Sequence, residues 1–388
     1  MLIRQTRFRP LLGAAIALLT AGLAQTALAQ AAGAPRWSFA IHGGAGVIER
    51  ASLSPEQDAA YRAALTRALQ AGGAVLARGG VALDAVQAAI EVMEDDPLFN
   101  AGRGAVFTAA GKNELDAAVM NGSDLTAGAV AGLTTTRHPI AAARAVKEQS
   151  PHVMLIGQGA DSFAASVGLE QVPPAYFFTE RRWQGLVKAL TDQNLPIPAR
   201  PEGALAAPLG GMADNDASAP PLNERKFGTV GAVALDTQGH LAAGTSTGGM
   251  TAKRWGRVGD VPVIGAGTYA SNRDGCAVSA TGDGEYFIRA TVARDICARI
   301  GAFDPRTSTE RGECVDALCI IRELRIVPLA ARREIEDAES LGGKGGVIVM
   351  GRDGRPAFAM STSGMYRGEI SSDAPQPRVA IYANETPQ

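Results

Sequence analysis

Along the chain the apolar positions switch repeatedly between a period near 3.6 and a period of 2, which divides it into helical and extended segments. Residues 37–42 read as a buried strand ending in the glycine turn Gly43-Gly44. Ser54 as N-cap, Pro55 and acidic Glu56 open a helix over an alanine-rich stretch to about Ala71. A second helix puts Leu83, Val86, Ile90 and Met93 on one face, a stripe that a sheet must cover. Residues 114–120 read as a strand, 139–149 as a helix started by proline, and 153–156 as another buried strand.

Periodicity fails over residues 199–227, where Pro201, Pro208, Pro220, Pro221 and Gly210-Gly211 interrupt it. This stretch reads either as a mobile, solvent-exposed segment or as an interdomain linker. Beyond it, 230–235 and 241–245 suit a hairpin around Asp236-Thr237-Gln238-Gly239, and 347–350 and 357–361 repeat the plan around Arg352-Asp353-Gly354. Residues 285–300 and 315–324 read as helical. Sheet pairs in each half, covered by helices, predict an α/β chain folded as a four-layer αββα sandwich.

Composition adds an export signal and removes some partners. Arg4, Arg7 and Arg9 precede an apolar run from Leu11 to about Leu23, and Ala27-Leu28-Ala29 follows. That order is a secretory signal over residues 1–29, and the run is too short for the roughly 20 residues of a spanning helix. Export to a bacterial periplasm is expected. Removing the signal moves the formal charge from −2 to −5, which disfavours nucleic acid as a partner. The 46% hydrophobic content and 46 glycines suit close-packed layers.

Cys276, Cys297, Cys314 and Cys319 admit three pairings in an oxidising compartment, among which a Cys314–Cys319 bridge is one candidate. His42, His138, His152 and His240 lack the spacing of a zinc site. The chemistry lies elsewhere. Gly228-Thr229 opens a strand directly after the aperiodic stretch, so it reads either as a plain turn or as a self-cleavage site. In the second case the freed α-amine of Thr229 would serve its own hydroxyl as base.

Three later motifs weigh on that choice: Thr245-Ser246-Thr247-Gly248-Gly249-Met250, Gly256-Arg257-Val258-Gly259-Asp260 and Thr281-Gly282-Asp283-Gly284-Glu285. With Gly228-Thr229 they resemble the plant-type L-asparaginase and isoaspartyl peptidase family of N-terminal-nucleophile hydrolases, over about Trp37 to Gly368. The resemblance implies cleavage at Gly228-Thr229 into an α subunit (30–228) and a β subunit (229–388) that together form one αββα domain. It implies Thr229 as nucleophile, Thr247 as its catalytic neighbour, and Thr281 with Gly282 as the oxyanion hole. Arg257 would take the α-carboxylate of a free aspartyl group and Asp260 its α-ammonium, with Gly284 and Asn100 also at the substrate.

The run from Glu94 to Gly104 resembles the family's sodium loop, which implies the backbone carbonyls of Met93, Glu94, Phe99, Ala101 and Arg103 as ligands and no organic cofactor. A homodimer of αβ units is also implied. His42-Gly43-Gly44-Ala45-Gly46 matches the family as structural support near the site. Val261 stands where the family usually has serine, and Asn121 where aspartate is common.

The expected reaction is hydrolysis of L-asparagine and β-aspartyl dipeptides to L-aspartate. Glycosylasparaginases are the nearest alternative, but aspartate typically precedes their nucleophile and their later motif reads Thr-Ser-Thr-Asn-Gly. Another alternative is an exported amino-acid-binding protein without catalysis. Gly244-Thr245-Ser246-Thr247-Gly248 also fits a serine-hydrolase elbow, yet no histidine follows His240 to complete that triad.

Overall fold

The structure, a computed structural model, describes residues 36–204, 228–303 and 317–388. The expected signal (1–29), the aperiodic stretch from 205 to 227, and Cys314 lie outside the described residues, and of Cys319 only the backbone, in a helix, is described. The helices are α1 (Pro55–Ala77), α2 (Ala82–Glu94), α3 (Pro139–Gln149), α4 (Gly157–Ser166), α5 (Glu180–Asp192), α6 (Gly284–Ala290), α7 (Val292–Phe303) and α8 (Ala317–Ser340). The strands are β1 (Ser38–Gly46), β2 (Leu115–Asn121), β3 (Ala127–Leu133), β4 (Met154–Ile156), β5 (Val230–Leu235), β6 (Leu241–Thr247), β7 (Thr268–Ser271), β8 (Cys276–Gly282), β9 (Gly345–Gly351), β10 (Pro356–Met360), β11 (Gly364–Ser371) and β12 (Arg378–Tyr382).

Local chemistry sets where the helices begin. Ser54 Oγ accepts the Gln57 amide at 3.2 Å while Gln57 Oε1 accepts the Ser54 amide at 2.9 Å, a reciprocal cap. α1 runs past the expected end at Ala71 because Gly72 is a packing residue: a Cβ there would lie 2.5 Å from Phe39 Cζ. The expected helix over 285–300 is broken at Thr291, whose φ of 51° separates α6 from α7. α8 continues beyond the expected end at 324 and through Pro328.

Hairpin β5–β6 pairs with β1 on one side and β2 on the other, giving the order β12-β11-β1-β5-β6-β2-β3-β4. The strand pairs expected in each half are thus not separate sheets: the large sheet interleaves both halves, and the second sheet, β10-β9-β8-β7, comes wholly from the second. β1 also does not end at Gly43-Gly44. It passes through them by a register shift against β11 between His42 and Ala45, with Gly44 at φ 108°. β4 is an edge strand, so its Ile156 is 67% exposed rather than buried.

Side chains alternate across the large sheet. Phe39 and Ile41 join α1 and α2 in one apolar core, whereas Ala40, Val233 and Ala243 join β8, β9, α7 and α8 in another. Cys276 of β8 is bonded to Cys297 of α7, and both are fully buried. Replacing Cys276 and Cys297 together by serine is expected to cost about 2–4 kcal/mol through the released loop. Thermal unfolding with and without reductant checks it, and an unchanged midpoint in the double variant would refute it.

Candidate active site

β5 and β6 bring two hydroxyls together at the end of the hairpin. Thr229, just before β5, is 8% exposed, and its Oγ1 donates to Thr247 Oγ1 at 3.1 Å. Thr247 Oγ1 also accepts the Gly249 amide at 3.0 Å. Gly228 has no room for a side chain, since a Cβ would lie 2.7 Å from Asn100 Cβ. Gly44 is as close on the other side: its Cβ would sit 2.9 Å from Gly228 Cα. Gly228 is therefore enclosed between Asn100 and Gly44, a fit that needs glycine at both 44 and 228.

Asn100 ties this junction to the turn after β6. Its Nδ2 donates to the Gly249 carbonyl at 2.7 Å, its Oδ1 accepts the Val106 amide at 2.9 Å, and its carbonyl accepts the Gly248 amide at 3.0 Å. The Asn100 amide, expected from sequence at the substrate, also braces two loops against each other.

Beneath Thr229 lies a buried relay that residue spacing alone did not reveal. His42 Nδ1 is 3.1 Å from the Thr229 carbonyl, and Nε2 is 2.9 Å from Ser279 Oγ. Burial drives the His42 pKa down to about 3, so the ring is neutral. A carbonyl only accepts, so Nδ1 carries the proton and Nε2 accepts from Ser279. Ser279 then accepts from Thr245 at 2.7 Å, and Thr245 from Thr268 at 2.7 Å. Thr245 and Thr247, like Ser279 and Thr281, are two apart on one strand, and that shared face was the available signal.

β8 delivers the other motif. Thr281 Oγ1 accepts the Ala45 amide at 3.4 Å, so it adjoins Gly44, the β1 glycine that packs on Gly228. Gly282 follows, then Gly284 at the start of α6. A Cβ on Gly284 would lie 2.9 Å from Asp260 Oδ1 and 3.0 Å from Arg257 Nη2, so its absence lets these two side chains converge. Arg257 and Asp260 do not hold one another. The Arg257 fork is on Glu285 at 2.9 and 3.0 Å, a partner the sequence reading missed. Asp260 Oδ2 is buried with no hydrogen-bond partner, and burial raises its pKa to about 7. A desolvated carboxylate oxygen left unpaired is a place for a cation.

On the opposite face of β6, Ser246 donates to the buried Glu94 carboxyl at 2.6 Å. Ser246 points away from Thr229, which removes the elbow-serine reading for a geometric reason. In the adjoining loop the carbonyls of Met93 and Ala101 each accept a backbone amide, from Asp96 at 3.3 Å and from Gly104 at 3.2 Å. Gly102 and Gly104 fold back onto the carbonyls of Glu94 and Phe99 with no space for a Cβ. Backbone carbonyls are neutral, hard donors of the kind a monovalent cation takes; among the described residues no cluster of His, Cys, Asp or Glu could hold a metal ion.

Residues 35–309 match the family described as asparaginase. The chain is 46% identical over 330 residues to the isoaspartyl peptidase of Escherichia coli (strain K12), covering 85% of this chain and 91% of that protein. It is also 36% identical over 345 residues to the isoaspartyl peptidase/L-asparaginase of Xenopus laevis, covering 89% and 95%. With a match over more than half its length and relatives covered almost end to end, the chain belongs to the asparaginase family.

Proposed function

We propose that the protein is a self-activating amidohydrolase that releases L-aspartate from L-asparagine and from β-aspartyl dipeptides. The observation that carries this reading is the buried Thr229 hydroxyl, directed at Thr247 directly after a glycine that Asn100 and Gly44 enclose. In activation, Thr229 Oγ1 attacks the Gly228 carbonyl carbon, the C–N bond breaks as the amine takes a proton, and water cleaves the resulting ester. Gly228 becomes a carboxylate and Thr229 an amino terminus, dividing the chain into the subunits 30–228 and 229–388.

The new amine then takes the Thr229 hydroxyl proton as Oγ1 attacks the substrate side-chain carbonyl. Thr281 Oγ1 and the Gly282 amide face the oxyanion, ammonia or an amino acid leaves, and water releases L-aspartate. Arg257 holds the α-carboxylate and Asp260 the α-ammonium. The relay from Thr268 to His42 fixes the Thr229 carbonyl, so only the hydroxyl and amine are free to act.

Two facing sheets, with α1 to α3 against one and α7 and α8 against the other, support a four-layer αββα sandwich of the N-terminal-nucleophile type. The carbonyls of Met93, Glu94, Phe99, Ala101 and Arg103 would hold sodium and stiffen the loop bearing Asn100. We read the mature protein as an exported, periplasmic homodimer of αβ units.

The test is to incubate purified protein with L-asparagine and with β-aspartyl-leucine and to quantify L-aspartate. Release from both is expected. Tight binding of L-aspartate with no turnover would leave the binding-protein reading standing, and turnover of glycosylated asparagine alone would favour the glycosylasparaginase one.

A further inference from the structure

Between two residues anchored in the site the chain makes an exposed turn whose composition is unusual for its shape. Lys253 is buried, with Nζ 2.9 Å from the Glu114 carbonyl, and four residues later Arg257 reaches the candidate clamp. The Arg257 amide donates to the Arg254 carbonyl at 3.0 Å, closing a turn whose central residues, Trp255 and Gly256, both have positive φ, 57° and 68°. Such a turn favours Gly, Asn or Asp at both positions, because a Cβ is strained there. Tryptophan at the first is strained, and it is 92% exposed, the reverse of what burial of an indole would give. Arg254 lies over one face of the ring, 4.6 Å from its centre.

Strain at an exposed residue beside a site points to use rather than stability. We propose that Trp255 and Arg254 form a subsite for the leaving-group residue of β-aspartyl dipeptides, with the free face of the indole taking an apolar or aromatic side chain and the guanidinium its carboxylate. This rests on the hydrolase reading above. The occupant follows from complementarity. Arg257 and Asp260 already match both charged groups of the aspartyl half, so a second cation with an aromatic surface on the same turn fits the half that leaves. Trp255 and Arg257 are two residues apart, so their Cα atoms are within about 7 Å, inside the reach of an indole.

The test is kcat/KM of the processed enzyme for β-aspartyl-phenylalanine, β-aspartyl-glycine and L-asparagine, in wild type, Trp255→Ala and Trp255→Phe. Trp255→Ala should lose about tenfold on the phenylalanine substrate, mostly in KM, as expected of one aromatic contact. The other two substrates should change less than about twofold, and Trp255→Phe should retain most of the preference. Equal losses on all three substrates would make Trp255 a structural residue and overturn the proposal, as would no loss anywhere. A fall in assembly size for Trp255→Ala on gel filtration would place the ring between copies instead and also overturn it. A wild type inactive on all three would instead overturn the hydrolase reading, and this subsite with it.

Discussion

Thr229→Ala is expected to give a single uncut chain with hydrolysis of L-asparagine reduced by at least about 10⁴-fold, the scale on which loss of a nucleophile is measured. Wild type should yield two fragments, the second beginning Thr229-Val230-Gly231. The effect is large because one residue supplies every element of the step: the oxygen that attacks, the amine that takes its proton, and the peptide bond whose rupture creates that amine. Nothing nearby substitutes. Thr247 is 3.1 Å away but carries no amine, and His42 has its Nδ1 proton on the Thr229 carbonyl and its Nε2 on Ser279. Intact mass with N-terminal sequencing decides it, and a variant still cut at residue 228 would show that the bond is broken by something other than the Thr229 hydroxyl.

Thr229→Ser separates the hydroxyl from its surroundings. Serine keeps the attacking oxygen but lacks the methyl that limits χ1.

Much of this site was legible because its chemistry is local in sequence. Glycines at 228, 248, 249, 259 and 284 stand where backbones or charged groups approach closely, and a strained or crowded backbone leaves a glycine in the text. Helix starts at Ser54 and Pro139 were legible for the same reason, since a capping box and a first-turn proline both act on their own neighbours. What could not be read depends on pairing at a distance. The His42–Ser279 bond spans 237 residues, and Glu285 meets Arg257 across 28. The mixing of both halves in one sheet depends on β5 finding β1 and β6 finding β2, which no local pattern encodes. The helix read to about Ala71 runs on through Gly72-Gly73, where Phe39 and Ile370 press against the two glycines from distant strands.

Asp260→Asn is expected to lower kcat/KM by about 10²- to 10³-fold at pH 8, the cost of leaving a buried charge without its partner. The pH dependence gives the sharper sign. Burial raises the Asp260 pKa to about 7, so in the free enzyme the carboxylate that would hold an α-ammonium is lost as pH falls through 7. The Thr229 amine, ordinarily near 8, must also be unprotonated to act as base. Log kcat/KM for wild type should therefore fall on the acid side with a slope approaching two, and for Asp260→Asn with a slope of one. Stability moves the other way. A carboxyl whose folded pKa lies above its unfolded value binds a proton on folding, so its contribution to stability declines between about pH 4 and 7 and is least above 7. Asp260→Asn should then unfold at a higher temperature than wild type at pH 8 without ligand, and L-aspartate should close that gap by stabilising only the wild type. A variant that is both inactive and less stable at pH 8 would mean that Asp260 supports the fold, and that its unpaired Oδ2 does not await a substrate cation.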